Sequence, residues 1–574
     1  MFTETKVFSS SPKNVLPLPR LDENQFQSFR WFIEHGIKNV FAEYSPIKDY
    51  TSKDLELHFG KYWFDEPKTT EEKARRDFLT FEAPWRVVVS LHNKKTGEIK
   101  EQEIYLGELP MMTSKGTFIV NGVERVVISQ LIRSSGVYFI ENTARAKKLF
   151  GAKILPGRGS WLEFDTDSAG TIGVRIDRKR RVLATSLLRV FGMETDEEIL
   201  KAFSDIDKVG YIEKTLKTDP AKDAASAYLE VYKRLRPGEM GVFENAKSFL
   251  DAMFKRSERY DLSDVGRFKL SQRLFNIHAI KNYSPQERLL DKKDLVAVLR
   301  EIIRLNTTPG ALSDDIDHLG NRRIRACGEI LRDRLIVGMS RMRRTVQDRM
   351  STIDLAISNP AQLIFPKPLI SAVKDFLMTS QLSHFTDQIN PLSQLEHKRR
   401  ISSMGPGGLK KERAGLEVRD VHLSHYGRIC PVQTPEGQNI GLVSQFASFS
   451  RINSLGFIET PYVEVKNGKV TEEIHWMDAY EEEKYLIAYG TIRRNQKGEI
   501  EDKEVKVRNG HNILVVKPSD VQYIDASPQQ LISIATGLIP FLENTDGNRA
   551  LMGSNMQRQA VPCVAASTFG FYWF

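Results

Sequence analysis

Three Asn-Gly pairs, Asn121-Gly122, Asn467-Gly468 and Asn509-Gly510, each follow a short run of β-branched or alternating residues, at 117–120, 462–466 and 505–508. A two-residue hairpin turn of the favoured twist needs positive φ at both central positions, which Asn and Gly tolerate best. Antiparallel hairpins are therefore predicted towards both ends of the chain. The middle reads differently. Residues 221–235, 294–305, 331–350 and 371–382 repeat apolar side chains at helical intervals, with good helix formers between them. The fold class is α+β and multidomain, with mixed helical and antiparallel β segments. Arg236-Pro237-Gly238, Thr308-Pro309-Gly310 and Gly405-Pro406-Gly407-Gly408 are joints where a helix must stop or a loop must bend.

The chain has 574 residues, enough for about four domains. Cys327, Cys430 and Cys563 are far apart and form no C-x-x-C pair. Neither a disulfide framework nor a cysteine-rich zinc site can be built from them, which points to a reducing, cytoplasmic compartment. Residues 1–20 hold no apolar core of signal-peptide length, and no later stretch approaches the roughly 18 uninterrupted apolar residues of a membrane span. With 83 Lys+Arg against 74 Asp+Glu, the net charge of +9 suits a polyanionic partner only if the cations gather somewhere. They are dense on 331–350, at Arg332, Arg334, Arg341, Arg343, Arg344 and Arg349. A solvated helix face would carry the same pattern.

The phosphate-binding P-loop, the GxSxG elbow, the HExxH helix and the dinucleotide-binding glycine fingerprint are all absent. Asp314, Asp315, Asp317 and His318 form the best cluster for a divalent cation, but Arg322, Arg323 and Arg325 follow at once. Ion pairing with those arginines favours a structural or recognition role over a metal. The amide- and hydroxyl-rich stretch 380–391 runs on into His397-Lys398-Arg399-Arg400 and the Gly405-Pro406-Gly407-Gly408 turn. Polar side chains, the aromatic Phe385, cations and a glycine loop in succession describe either a wet groove along a phosphate backbone or a surface loop. Met552 and Met556, four residues apart, read as core packing.

Several of these segments share one likeness. The stretches 405–422, His425-Tyr426-Gly427-Arg428 and Thr434-Pro435-Glu436-Gly437-Gln438-Asn439-Ile440-Gly441-Leu442 strongly resemble the beta subunit of bacterial multisubunit RNA polymerase. Residues 116–126, 158–161, 174–178, 314–329 and 548–562 add to it, so the resemblance runs over almost the whole chain up to Pro562. It implies the N-terminal half of such a subunit, working in template-directed RNA synthesis only with beta-prime, alpha, omega and sigma subunits around template and non-template DNA and nascent RNA. The catalytic Mg²⁺ would be held by beta-prime, with no catalytic or metal residue in this chain, which alone should be inactive. The other reading is a nucleic-acid-binding fragment that never assembles. The location implied is cytoplasmic and nucleoid-associated, with no membrane contact. Residues 563–574 depart from the family pattern, and a truncated or frame-shifted reading frame is expected.

Carried over position by position, the resemblance puts Gln381, His384, Phe385, Asp387, His397, Arg400, Ser402, Pro435 and Asn439 on the wall of the RNA–DNA hybrid channel, in the pocket that rifamycins block. His384 stands where Gln is usual and Lys411 where Arg is usual. Arg133, Trp161, Asp317 and Arg322 would capture an unstacked guanine of the non-template strand, where a carboxylate can accept from the base and an indole can stack. Ser135 replaces a usual proline beside Arg133. Arg549 and Gln559 would contact nucleic acid near the active centre. The implied domains are a protrusion (1–144, resumed at 301–359), a lobe (145–300), a fork (360–430), an external region (431–540) and the start of a hybrid-binding domain (541–574).

Overall fold

The computed structural model describes residues 16–560, apart from 18, 51–54, 145–146, 240, 279–282, 353–358, 496–497 and 511. Cys563 and the divergent segment 563–574 lie outside the described residues. The chain divides into two compact units: Met1–Ile132 together with Asp317–Phe574, and the inserted Arg133–Ile316.

The inserted unit is sheet first and helix afterwards. Its five strands pair antiparallel in the order Val182–Leu183, Ile172–Ile176, Leu162–Thr166, Lys147–Leu155 and Gly136–Ala144. Leu162, Phe164 and Thr166 are buried while Glu163 and Asp165 between them are half-buried, the period of two of a strand with one covered face. The helices Ala224–Leu235, Phe243–Phe254 and Lys292–Thr307 add Val231, Leu250, Leu299 and Ile302 to the core laid down by Phe139, Ile154 and Phe164. Ala224–Leu235 stops before Pro237 and Lys292–Thr307 before Pro309, as the joints in the sequence predict.

The larger unit is organised around the 26-residue helix Cys327–Thr352. One side buries Ile330, Leu331, Leu335, Met339, Met342 and Val346. Its arginines are not simply a solvated face, because four of them lie over aromatic rings. Arg332 covers Trp31 at 5.8 Å, Arg334 covers Phe376 at 5.5 Å, Arg343 covers Tyr44 at 5.4 Å and Arg349 covers Phe365 at 5.6 Å. Two small sheets carry the region of interest. In one, Ser383–Phe385 pairs antiparallel with Val123–Val127. In the other, Arg400–Ser402 runs parallel to Ser129–Arg133 and antiparallel to Val443–Gln445, with Arg322–Arg325 on the outer side of Ser129–Arg133. A seven-stranded sheet built on Ile458–Lys466 follows.

Two of the three hairpins form as the Asn-Gly pairs predict. Asn121 and Gly122 have φ of 51° and 77° between Val120 and Val123, and Asn467 and Gly468 have 52° and 75°. The third is displaced by one residue. Asn509 pairs with Asn512, so Gly510, at φ 52°, takes the first central position. Asn509 becomes the last rung of the ladder.

Candidate nucleic-acid groove

The helix Lys367–Thr379 ends at Ser380, and the chain turns into the short strand Ser383–Phe385. Helix Pro391–Lys398 then starts on Asn390, whose side chain accepts from the Ser393 N–H at 2.7 Å, a cap strengthened by Pro391 in the first turn. These short elements bring Arg400–Ser402 alongside Ser129–Arg133, in the second of the two small sheets. The turn that follows is held from behind. Gln130, fully buried, donates to the carbonyls of Met404 and Pro406 at 3.0 Å each. Gly405 has φ 104°, and a Cβ at Gly408 would stand 2.6 Å from the Ser403 carbonyl oxygen, so both positions require glycine. Further on, Thr434 accepts from the Gly441 N–H and donates to the Val443 carbonyl, both at 2.9 Å, fixing the loop that carries Pro435 and Asn439.

A groove of about 1140 Å³ lies between these segments. Its lining brings together Gln381, His384, Arg400, Ser402, Pro435 and Asn439, six of the positions expected on one wall although they span residues 381 to 439. The glycine turn, Lys410 and Lys411 line it too, and so do Arg334 and Arg341 from the long helix. Five Lys and Arg side chains thus face two carboxylates, Asp375 and Glu412. Arg334 and Arg341 were visible in the sequence only as members of a basic helix. Their spacing of seven places both on one helical face, and that was the available signal.

Three expected positions sit beside this lining. Phe385 is exposed, with the Arg125 guanidinium 4.4 Å from its ring centroid. Asp387 donates its backbone N–H to His397 Nδ1 at 3.0 Å. His397 is buried, and its ring lies 5.7 Å from that of His384. Because Nδ1 accepts, the neutral ring carries its proton on Nε2, which has no partner among the described residues. Burial, reinforced by Arg400, pushes the His397 pKa down to about 3. Burial also lowers that of His384, whose Nε2–H donates to the Gln381 carbonyl at 2.9 Å, and that of Arg400. The groove therefore meets a ligand with the neutral imidazole of His384 and the desolvated guanidinium of Arg400.

The expected base-capture positions fall in both units. In the larger one, Arg322 is buried, approaches Asp317 at 3.9 Å and donates to Ser403 Oγ at 3.1 Å. In the inserted one, Arg133 closes the strand Ser129–Arg133, and Trp161 is 39% exposed with Arg178 5.3 Å from its ring. Ser135 is buried there and bonds Ser263 at 2.9 Å. Asp314 accepts from Arg273 at 3.1 Å and from the Phe139 N–H at 2.9 Å, the pairing that its arginine-rich neighbourhood favours over a metal, although the partner is Arg273. His318 faces Glu483 at 3.1 Å.

Helix Gly547–Met556 begins on Asp546, which accepts from the Asn548 N–H at 3.2 Å, and carries Arg549. It reaches the groove region through Asn555, which donates to the Thr434 carbonyl at 3.3 Å, and through Arg558, 3.3 Å from buried Glu396. Asn390 donates to the Gln557 carbonyl at 3.2 Å, so Gln559 follows a tethered turn. Met552 and Met556 are exposed at the surface and do not pack in a core as their spacing suggested. The helix buries Ala550 and Ser554 instead.

Residues 133–325 match the family model for RNA polymerase Rpb2, domain 2, residues 384–452 that for domain 3, and residues 462–527 the RNA polymerase beta subunit external 1 domain. The DNA-directed RNA polymerase subunit beta of Gloeobacter violaceus is 46% identical over 549 residues, 95% of this chain and 48% of that protein. That of Syntrophomonas wolfei is also 46% identical, over 96% of this chain and 49% of its own length. The Listeria innocua subunit is 41% identical over 96% of this chain and 53% of its own length. The chain thus spans about half the length of these relatives. It belongs to the family of DNA-directed RNA polymerase beta subunits.

Proposed function

We propose that this chain supplies one wall of the channel that holds the RNA–DNA hybrid, and part of the downstream DNA cleft, in a DNA-directed RNA polymerase assembled with beta-prime, alpha, omega and sigma subunits. The observation that carries this reading is the convergence of Gln381, His384, Arg400, Ser402, Pro435 and Asn439 on one groove with Arg334, Arg341, Lys410 and Lys411. Cations there neutralise phosphates, while the amides and hydroxyls bond sugar and backbone oxygens without reading sequence. A rigid turn pinned by Gln130 holds the backbone close to the strand that passes it.

By the family resemblance, Asp317, Arg322, Arg133 and Trp161 are assigned to capture of a non-template guanine. Asp317 accepts from the base edge while Arg322, steadied by Ser403, hydrogen-bonds it. Arg549 and Gln559 are assigned to nucleic acid near the active centre. Nucleotidyl transfer needs divalent metal, which in this reading beta-prime holds. The groove's two carboxylates, Asp375 and Glu412, do not make a ligand set of the size such an ion takes. In this reading the chain works only as part of the assembled enzyme.

The test is co-expression with beta-prime, alpha, omega and sigma. Recovery of this chain in a complex that elongates RNA supports the assignment. Its consistent exclusion from the assembled enzyme leaves a nucleic-acid-binding fragment.

A further inference from the structure

The inserted unit contains a cavity of about 590 Å³, apart from every residue assigned above. One wall is a single face of the helix Lys292–Thr307, where Lys292, Val296 and Arg300 lie along one row and Lys293, Ala297 and Glu301 along the next. The opposite face of the same helix buries Leu295, Val298, Leu299 and Ile302 in the core. An ordinary amphipathic helix turns polar residues outward, yet here Val296 and Ala297 are half-buried on the outer side. Met193, Ile206, Leu274 and Phe275 face them across the cavity.

The two ends of this wall differ in charge. At one end Arg300 is paired with Asp205 and donates to the Ala202 carbonyl at 2.8 Å, and Glu301 accepts from Arg273 at 3.2 Å and Arg304 at 2.6 Å. Those charges are satisfied. At the other end the ammonium groups of Lys292 and Lys293 have no ion pair or hydrogen bond among the described residues. Of the carboxylates near them, Asp291 accepts from the Lys292 backbone N–H at 2.7 Å, Asp294 pairs with Arg267 at 2.6 Å, and Glu198 is a further acidic residue in the cavity lining. Two cations in the first helical turn oppose the helix dipole, so their place beside the cavity is not explained by helix stability.

We propose that this cavity binds a small organic anion with an apolar body, its acidic group at Lys292 and Lys293 and its body between Val296, Ala297 and Phe275. The volume falls within the range of about 300–1,000 Å³ typical of small-molecule sites. The row from Lys292 to Arg300 measures roughly 12 Å at 1.5 Å per residue, which suits a molecule of two fused rings or a short branched chain. A protein partner would need a far larger complementary face than this opening provides.

The probe is 8-anilinonaphthalene-1-sulfonate, titrated by fluorescence into the full chain, alongside uncharged N-phenyl-1-naphthylamine. The proposal predicts a component of one sulfonate per chain that weakens at least tenfold in K292E/K293E and disappears in A297W, which fills the cavity. The uncharged probe should bind K292E/K293E as it binds the natural chain and should fail to bind A297W. Circular dichroism and a melting curve check that both variants fold. Sulfonate titrations that superimpose for all three proteins overturn the site. Sulfonate binding that survives the charge reversal overturns its assignment to an anion.

Discussion

His397 offers a quantitative check on how the groove is built. Its ring is 4% exposed, Nδ1 accepts from the Asp387 N–H, and burial together with Arg400 lowers its pKa to about 3. In the unfolded chain a histidine titrates near pH 6.5. The folded value is therefore depressed, and below about pH 6.5 the unfolded chain gains a proton that the folded chain refuses. Stability present above that pH is lost as the pH falls towards 3. Between pH 6.5 and pH 5 the interval is about 1.5 units, so at about 1.4 kcal/mol per unit the loss is about 2 kcal/mol, or roughly thirtyfold in an opening equilibrium. Hydrogen exchange of the helix Pro391–Lys398 at pH 7 and pH 5, corrected for the intrinsic rate, measures this opening directly. Natural chain and His397→Gln are compared so that other titrations cancel. Protection should fall roughly thirtyfold more in the natural chain than in the variant. Equal falls in both would refute the buried, neutral ring.

Other expectations follow from the same geometry. Gln130→Ala removes two hydrogen bonds that hold the glycine turn, and should cost about 1–3 kcal/mol of local stability, read as faster exchange at residues 404–408 without loss of the core protection around Leu335. Arg428, fully buried, pairs with Glu482 at 2.5 Å and donates to the Ile458 and Met477 carbonyls at 3.0 Å. Arg428→Ala should destabilise the region by about 3–5 kcal/mol, seen as a lowered first transition on thermal melting. Arg341→Gln should weaken binding of an RNA–DNA hybrid equally for all sequences and reduce the steepness of its salt dependence by about one phosphate contact.

Secondary structure was legible where one local rule decided it. Asn121-Gly122 and Asn467-Gly468 turn as their backbone preferences require, and the helices around residues 224–235 and 327–352 follow their apolar period. Asn509-Gly510 misleads because a ladder pair, Asn509 with Asn512, outweighs the local preference of Asn for the turn. Met552 and Met556 mislead because their spacing fixes a shared helical face and says nothing of whether that face is covered. At the groove, the motifs identified which stretches converge, and six of the expected side chains do line one space. Spacing could not reveal that His397 turns away into the interior, that Gln130 clamps the glycine turn from a strand more than 270 residues earlier, or that Arg334 and Arg341 face the groove. Those facts depend on strand pairings between distant segments, such as Ile401 against Ser129. The cavity beneath Lys292 was equally hidden, since its half-buried Val296 and Ala297 look in sequence like ordinary members of a helical repeat.

The central claim is that the groove lined by Gln381, Arg400 and Lys411 receives an RNA–DNA hybrid. A hybrid carrying 4-thiouridine, irradiated with the full chain in low salt and mapped by mass spectrometry, measures this contact residue by residue. Cross-links confined to peptides covering residues 381–411 and 434–443, and diminished by Arg341→Gln, are the predicted result. Cross-links spread over both units without enrichment there, or unaffected by that substitution, would contradict it.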